Sequence, residues 1–99
     1  MSEADALFAA GRHTDPTHVD VLVRQMRWRC RRGILEVELI LQPFFERHAR
    51  VLVTERKVLM DQLLACADTD LMAWFTQGGQ PEEAALQSLV QEILAEHQG

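Results

Sequence analysis

The sequence predicts an all-α fold, a small five-helix bundle forming a single domain. Three observations carry this. Apolar residues recur at three- and four-residue intervals along most of the chain. Glycine and proline punctuate those intervals at Gly33, Pro43, Gly78, Gly79 and Pro81. Only one short segment alternates in the manner of a strand, and no second strand is present to pair with it. Ninety-nine residues fit one domain at most, and an apolar content of 47% is enough for a compact core.

Residues 1–18 read as a flexible N-terminal tail, and residues 19–97 as the helical domain. Gly11 and Pro16 interrupt any pattern in the tail, and Asp15-Pro16-Thr17 is turn chemistry. The first helix is expected from about Val19, with Leu22, Met26 and Cys30 on one apolar stripe. Arg24, Arg27 and Arg31 fall on another face beside Trp28, and the arginines in the last turn complement the negative end of the helix dipole. Gly33 follows as the residue that tolerates a positive φ at the helix end.

Residues 34–49 carry two patterns. Glu36-Val37-Glu38-Leu39 alternates like a half-buried strand, whereas Ile34, Val37, Leu41, Phe44 and Phe45 follow helical spacing. The length of the periodic segment tips the balance to helix, because a lone strand leaves its edges unsatisfied. Pro43 removes one backbone bond, so a kink or break is expected there. A third helix fits Thr54 to Cys66, with Thr54 as N-cap and Leu59, Leu63, Leu64 and Cys66 inward. Asp68 or Asp70 caps a short fourth helix carrying Leu71, Trp74 and Phe75, which Gly78-Gly79 ends. Pro81 is placed at the first position of a fifth helix, followed by Glu82 and Glu83 at its positive end. Leu86, Leu89, Val90, Ile93 and Leu94 give that helix the cleanest amphipathic stripe.

Charge narrows the function. The net charge is −5, yet residues 1–50 hold eight Arg against seven acids, and residues 51–99 two basic residues against eight acids. Five of the ten cations lie between Arg24 and Arg32. An acidic protein with one basic patch is a poor general nucleic-acid binder, since phosphate neutralisation dominates that affinity. The patch fits an acidic protein surface better, and Arg and Trp are the residue types that dominate interface energetics. A solvated helix face and a nucleic-acid contact are the rival readings of the same arginines.

Catalytic signals are weak. His13, His18, His48 and His97 are scattered without a second metal ligand at helical spacing. Ser2 and Ser88 are the only serines, and no glycine-rich loop follows a strand. Cys30 and Cys66 lack a CxxC spacing and read as reduced thiols packed as small apolar groups. No apolar run approaches the roughly 18 to 20 residues of a membrane span. The acids Glu3, Asp5 and Asp15 do not match a secretory or mitochondrial leader, so a bacterial cytoplasm is the expected location.

The segment Trp28-Arg29-Cys30-Arg31-Arg32-Gly33-Ile34-Leu35-Glu36 contains the pattern R-G-x-x-E, followed by Glu38, Pro43-Phe44-Phe45-Glu46, Leu63-Leu64, Asp68-Thr69-Asp70-Leu71, Trp74, Gly79 and Pro81. In these residues the chain resembles the small family of FAD assembly factors for succinate dehydrogenase, known in bacteria as SdhE. The resemblance covers about residues 24–95. Glu38 stands where the family commonly has Asp, Thr69 where a turn often holds Pro, and the N-terminal tail is longer than in compact members.

The resemblance implies a five-helix bundle, and so a helix at 34–49. It implies a non-enzymatic, chaperone-like factor that binds the flavoprotein subunit of succinate dehydrogenase and promotes covalent attachment of FAD to a histidine of that subunit. Fumarate reductase flavoproteins are expected as second clients. The factor itself is expected to bind no cofactor tightly, FAD belonging to the client, and to act as a monomer without membrane insertion. The expected partner-binding residues are Trp28, Arg31, Arg32, Gly33, Ile34, Glu36 and Glu38, with Arg32 contacting a client carboxylate or carbonyl and Glu36 contacting the client or orienting Arg32. The rival class is a small regulator, antitoxin-like or nucleic-acid-binding, that uses the same arginines; an FAD carrier lacks a dinucleotide fingerprint.

Overall fold

The computed structural model describes residues 16–99, folded as five helices: α1 (Pro16–Arg29), α2 (Leu35–Leu52), α3 (Lys57–Leu64), α4 (Asp68–Thr76) and α5 (Ala84–Gln98). The expected tail lies outside the described residues up to residue 15. Residues 16–18 are already the first turn of α1, which begins at Pro16 rather than Val19. Proline suits that position because its missing N–H is one the first turn leaves unpaired in any case.

The bundle is built around α2, which packs against all four other helices. Its inward residues Val37, Leu41, Phe44 and Phe45 are completely buried. They meet Met26 and Cys30 from α1, Met60, Leu63 and Leu64 from α3, Leu71 and Phe75 from α4, and Leu86, Leu89, Val90 and Ile93 from α5. The stretch that alternated like a strand, Glu36-Val37-Glu38-Leu39, is therefore helical. In α3, Leu63 and Leu64 face inward as expected, joined by Met60. Met60 is its central core residue, while Leu59 and Cys66 are only half-buried.

Several element ends differ from the sequence expectation. The helix runs through Pro43 with helical torsions, and the bend falls at His48 (φ −125°, ψ 21°). Pro43 and Leu39 are both exposed, so solvent can take the hydrogen bond that the Leu39 carbonyl loses. At the bend, His48 Nε2 lies 2.7 Å from a Glu96 oxygen, and Arg47 Nε donates to Glu96 at 2.9 Å, fastening α2 to the last turns of α5. Thr54 does not cap α3; it donates back to the Arg50 carbonyl, and Arg56 precedes the helix. Arg56 instead forms a two-pronged pair with Glu92 of α5, at 2.9 and 3.0 Å. Neither Asp68 nor Asp70 caps α4, whose N-cap is Ala67. Gly78 ends α4 at φ +79°. Pro81 precedes α5 rather than starting it, and its carbonyl accepts from Gln87 Nε2 at 2.7 Å.

Ion pairs tie α1 to its neighbours. Arg27 grips Glu46 of α2 through Nε at 2.6 Å and Nη2 at 3.0 Å. Arg29 meets Asp61 of α3 at 2.7 Å, where Lys57 also donates. The Arg27 guanidinium holds the Glu46 carboxyl below its ordinary pKa, and the Lys57 and Arg29 bonds do the same for Asp61. A carboxyl with a depressed folded-state pKa adds stability above its unfolded value and loses it as pH falls through the folded value. The melting temperature should therefore hold from pH 7 to about 5 and fall below about pH 4.5. In a Glu46→Gln, Asp61→Asn double variant this acid limb should be shallower. An unchanged acid slope would show that these pairs add nothing, as some surface pairs do.

Candidate functional site

The link between α1 and α2, residues 30–34, forms an exposed corner. Helix α1 stops at Arg29, a turn earlier than a cap at Gly33 would require. The Cys30 N–H bonds to the Met26 and Arg27 carbonyls and the Arg31 N–H to the Trp28 carbonyl at 3.1 Å, tightening the last turn. The chain then leaves the helix axis because Arg32 is bound elsewhere. Its Nε donates to Asp68 at 2.8 Å, its Nη1 to the Leu64 carbonyl and its Nη2 to the Cys66 carbonyl, both at 2.8 Å.

Gly33 follows at φ +82°, and a Cβ placed on it would meet no atom within 4 Å. The glycine is thus required by backbone conformation, not by crowding inside this molecule, and the space outside it is open. Its N–H donates to Glu38 Oε2 at 2.6 Å, so Glu38 in the first turns of α2 braces the corner from the far side. Ile34 is half-buried in extended backbone and supplies the N-cap position of α2. Glu36 is exposed in the first turn, where the positive end of the α2 dipole favours a carboxylate.

Three large apolar side chains on the helices that meet here are exposed. Trp28 is 69% exposed, Leu35 65% and Leu39 57%. The Arg31 guanidinium sits 5.1 Å from the centre of the Trp28 ring, a stacked cation that also stiffens the indole. Between α1 and α2 runs an open groove of about 260 Å³ lined by Arg27, Arg31, Glu38, Gln42 and Glu46. Among the described residues, Arg31 and Glu36 form no ion pair, so a cation and an anion stand available on either side of Gly33.

The structure thus brings Trp28, Arg31, Gly33, Glu36 and Glu38 together at one corner, with Ile34 beneath. It departs from expectation at Arg32, whose side chain is only 15% exposed and turned inward. Glu36 does not orient Arg32; Asp68 and two carbonyls do. The expected basic docking patch is also smaller than its composition. Arg27, Arg29 and Arg32 are engaged within the molecule, which leaves Arg24 and Arg31 without an acidic partner among the described residues. That weakens any reading in which the cluster neutralises phosphates.

Leu35 and Leu39 are the site residues that sequence reasoning missed. They are four apart and lie out of phase with Val37, Ile40, Leu41 and Phe44, so their helical phase was the available signal. The two cysteines are free. Burial pushes the Cys30 thiol up to about 12, so it stays protonated and packs as a small apolar group. Among the described residues no three His, Cys, Asp or Glu side chains gather as metal ligands, and no helix is long and apolar enough to cross a membrane.

Comparison with known proteins converges on one family. The family described as flavinator of succinate dehydrogenase matches residues 24–97. A protein of Pseudomonas aeruginosa named FAD assembly factor SdhE is 38% identical over 72 residues, covering 73% of this chain and 86% of that one. One of the same name from Idiomarina loihiensis is 35% identical over 72 residues, covering 73% and 80%. Another from Shewanella oneidensis is 45% identical over 53 residues, covering 54% and 65%. No solved structure gives a significant match.

Proposed function

The chain belongs to the family of succinate dehydrogenase flavinators, and from that membership we propose how it works: its α1–α2 corner docks onto the flavoprotein subunit of succinate dehydrogenase and promotes covalent attachment of FAD there. The observation that carries the docking site is the corner itself. An open-sided Gly33 at φ +82° is flanked by exposed Trp28, Leu35 and Leu39 and by Arg31 and Glu36, which form no ion pair among the described residues.

The arrangement suits a partner whose backbone comes close to the glycine. Trp28 and the two leucines supply apolar area that gains on leaving water. Arg31 offers charge-assisted bonds to a client carboxylate or carbonyl, and Glu36 accepts from a client N–H or cation. The corner is held before binding by Arg32 on one side and Glu38 on the other, so little ordering is needed when the partner arrives. Binding then favours a client conformation in which FAD and the acceptor histidine are in attack geometry. The factor works by population shift and proximity, contributes no reacting group and needs no tightly bound cofactor of its own. It acts as a monomer in a bacterial cytoplasm, and fumarate reductase flavoproteins are second clients.

The test is a direct binding measurement between this protein and the purified succinate dehydrogenase flavoprotein. Trp28→Ala should weaken the complex by about 2 kcal/mol, the loss typical of a central aromatic anchor, with the melting temperature unchanged. Glu36→Ala should weaken it less. Full affinity in Trp28→Ala would move the docking surface away from this corner.

A further inference from the structure

The Asp68-Thr69-Asp70-Leu71 segment lies at the start of α4, outside the docking corner, and its expected capping role is not realised. What Asp68 does instead is receive Arg32. We infer that Arg32 is a positioning residue of the docking corner and that Asp68 is its seat: with the Leu64 and Cys66 carbonyls, Asp68 anchors the residue before Gly33 and so fixes the left-handed turn that the partner meets. The inference rests on the corner being the docking surface.

The geometry is that of a clamp rather than of a contact held ready for a partner. All three guanidinium nitrogens of Arg32 donate, each at 2.8 Å, to acceptors on the α3–α4 junction. To reach a partner, Arg32 would have to surrender three bonds. Two of the acceptors are carbonyls around the end of α3, a position where backbone oxygens run out of intrahelical donors and a cation is favoured by the helix dipole. Asp68 occupies the first turn of α4, where the opposite end of a dipole favours its charge. The guanidinium therefore satisfies the end of one helix and the start of the next at once. A planar fork with several fixed donors does this, and a lysine ammonium does not.

The consequence for Gly33 follows from chain continuity. Arg32 pins the peptide entering Gly33, and Glu38 accepts from the Gly33 N–H at 2.6 Å. The glycine is thus held from both sides in a conformation that it would otherwise exchange freely with others. Releasing either hold leaves the same side chains on the surface but lets the corner wander.

A double-mutant cycle on client affinity distinguishes the clamp from a direct contact. The full-length protein is titrated with the purified succinate dehydrogenase flavoprotein as wild type, Arg32→Ala, Asp68→Ala, the double variant and Trp28→Ala. Hydrogen exchange at the Gly33 amide is followed in the same free variants. Arg32→Ala and Asp68→Ala should each weaken binding roughly tenfold, with the double variant no weaker than the worse single. Gly33 exchange should accelerate at least about tenfold in both while the Phe44 amide keeps its protection. Asp68→Asn, which keeps an acceptor for Arg32 without the charge and perturbs packing least, should fall between wild type and Asp68→Ala in both readouts. If Asp68→Ala binds as well as wild type while Arg32→Ala is weakened, or if the two losses add, Arg32 touches the client directly and the clamp is wrong. Unchanged Gly33 exchange in Asp68→Ala overturns it without reference to any client. Unchanged binding in Trp28→Ala, by contrast, overturns the docking reading and the proposal with it.

Discussion

Replacing Gly33 with arginine should abolish binding to the succinate dehydrogenase flavoprotein while leaving the bundle folded. The two halves of this expectation have separate causes. A non-glycine residue at φ +82° carries left-handed strain of about 1 to 2 kcal/mol. That is a fraction of the stability of a domain this size, of order 0.05 to 0.15 kcal/mol per residue. A Cβ at Gly33 meets no atom of the protein within 4 Å, so the new side chain leaves the backbone into open space. On the proposed docking it meets the partner instead. A bulky cation then stands where a client backbone must come close, between Trp28 and Leu35. Affinity should fall by on the order of 100-fold or more, the scale of losing a central hot spot. Gly33→Ala separates the terms, because it carries the strain with little of the bulk, and should lose far less. Equal losses in the two variants would assign the effect to backbone strain and leave close approach without support.

The opposite pattern is expected at Phe44. This side chain is fully buried at the middle of α2, the helix that touches all the others. Phe44→Ala removes its packing and leaves a cavity, at a cost of about 3 to 5 kcal/mol. In a chain of 99 residues that is a large share of the total, so the variant should melt far lower or be partly unfolded at 37 °C. Client binding is then lost through population of the unfolded state, not through the interface. Denaturant unfolding measures it directly. A loss under about 1 kcal/mol would mean that α2 is not the organising element. Read together, the two variants separate failure to dock from failure to fold, which an activity assay in cells merges.

The division between legible and illegible residues is instructive. The periodicity of α5 placed Leu86, Leu89, Val90 and Ile93 in the core, where they are buried. The placing of Arg31 beside Trp28 and the positive φ of Gly33 also followed from residue type and position. What sequence patterns did not supply was the tertiary destination of polar groups. Nothing local to Arg32 says that its acceptors lie 32 to 36 positions away at the α3–α4 junction. Nothing in the arginine cluster says that Arg27 and Arg29 are taken by Glu46 and Asp61. Caps misled for the same reason. Thr54 and Asp68 are good capping residue types, but each found a competing partner, the Arg50 carbonyl for one and Arg32 for the other. The bend in α2 was expected at Pro43, whose cost is small where solvent reaches the freed carbonyl, and it occurs at His48, beside the tie to Glu96.

This division also alters the meaning of the R-G-x-x-E pattern in this chain. Its arginine, glycine and acid do not form one contact surface. Arg32 faces inward and sets the turn, Gly33 is the turn, and Glu36 stands exposed on the first turn of α2. On the proposed docking, the apolar area comes from Trp28 and Leu39, outside the pattern, and from Leu35, at one of its variable positions, while Arg31 beside the pattern and Glu36 within it carry the charge.

The most direct test of the whole account is covalent flavin on the succinate dehydrogenase flavoprotein, read as fluorescence in a denaturing gel. Cells lacking the gene are compared after complementation with the wild-type chain and with Gly33→Arg at matched protein levels. The account predicts a fluorescent band with the wild type, and its loss both without the gene and with Gly33→Arg. A band of equal intensity in all three would contradict both the assembly role and the corner at which it is placed.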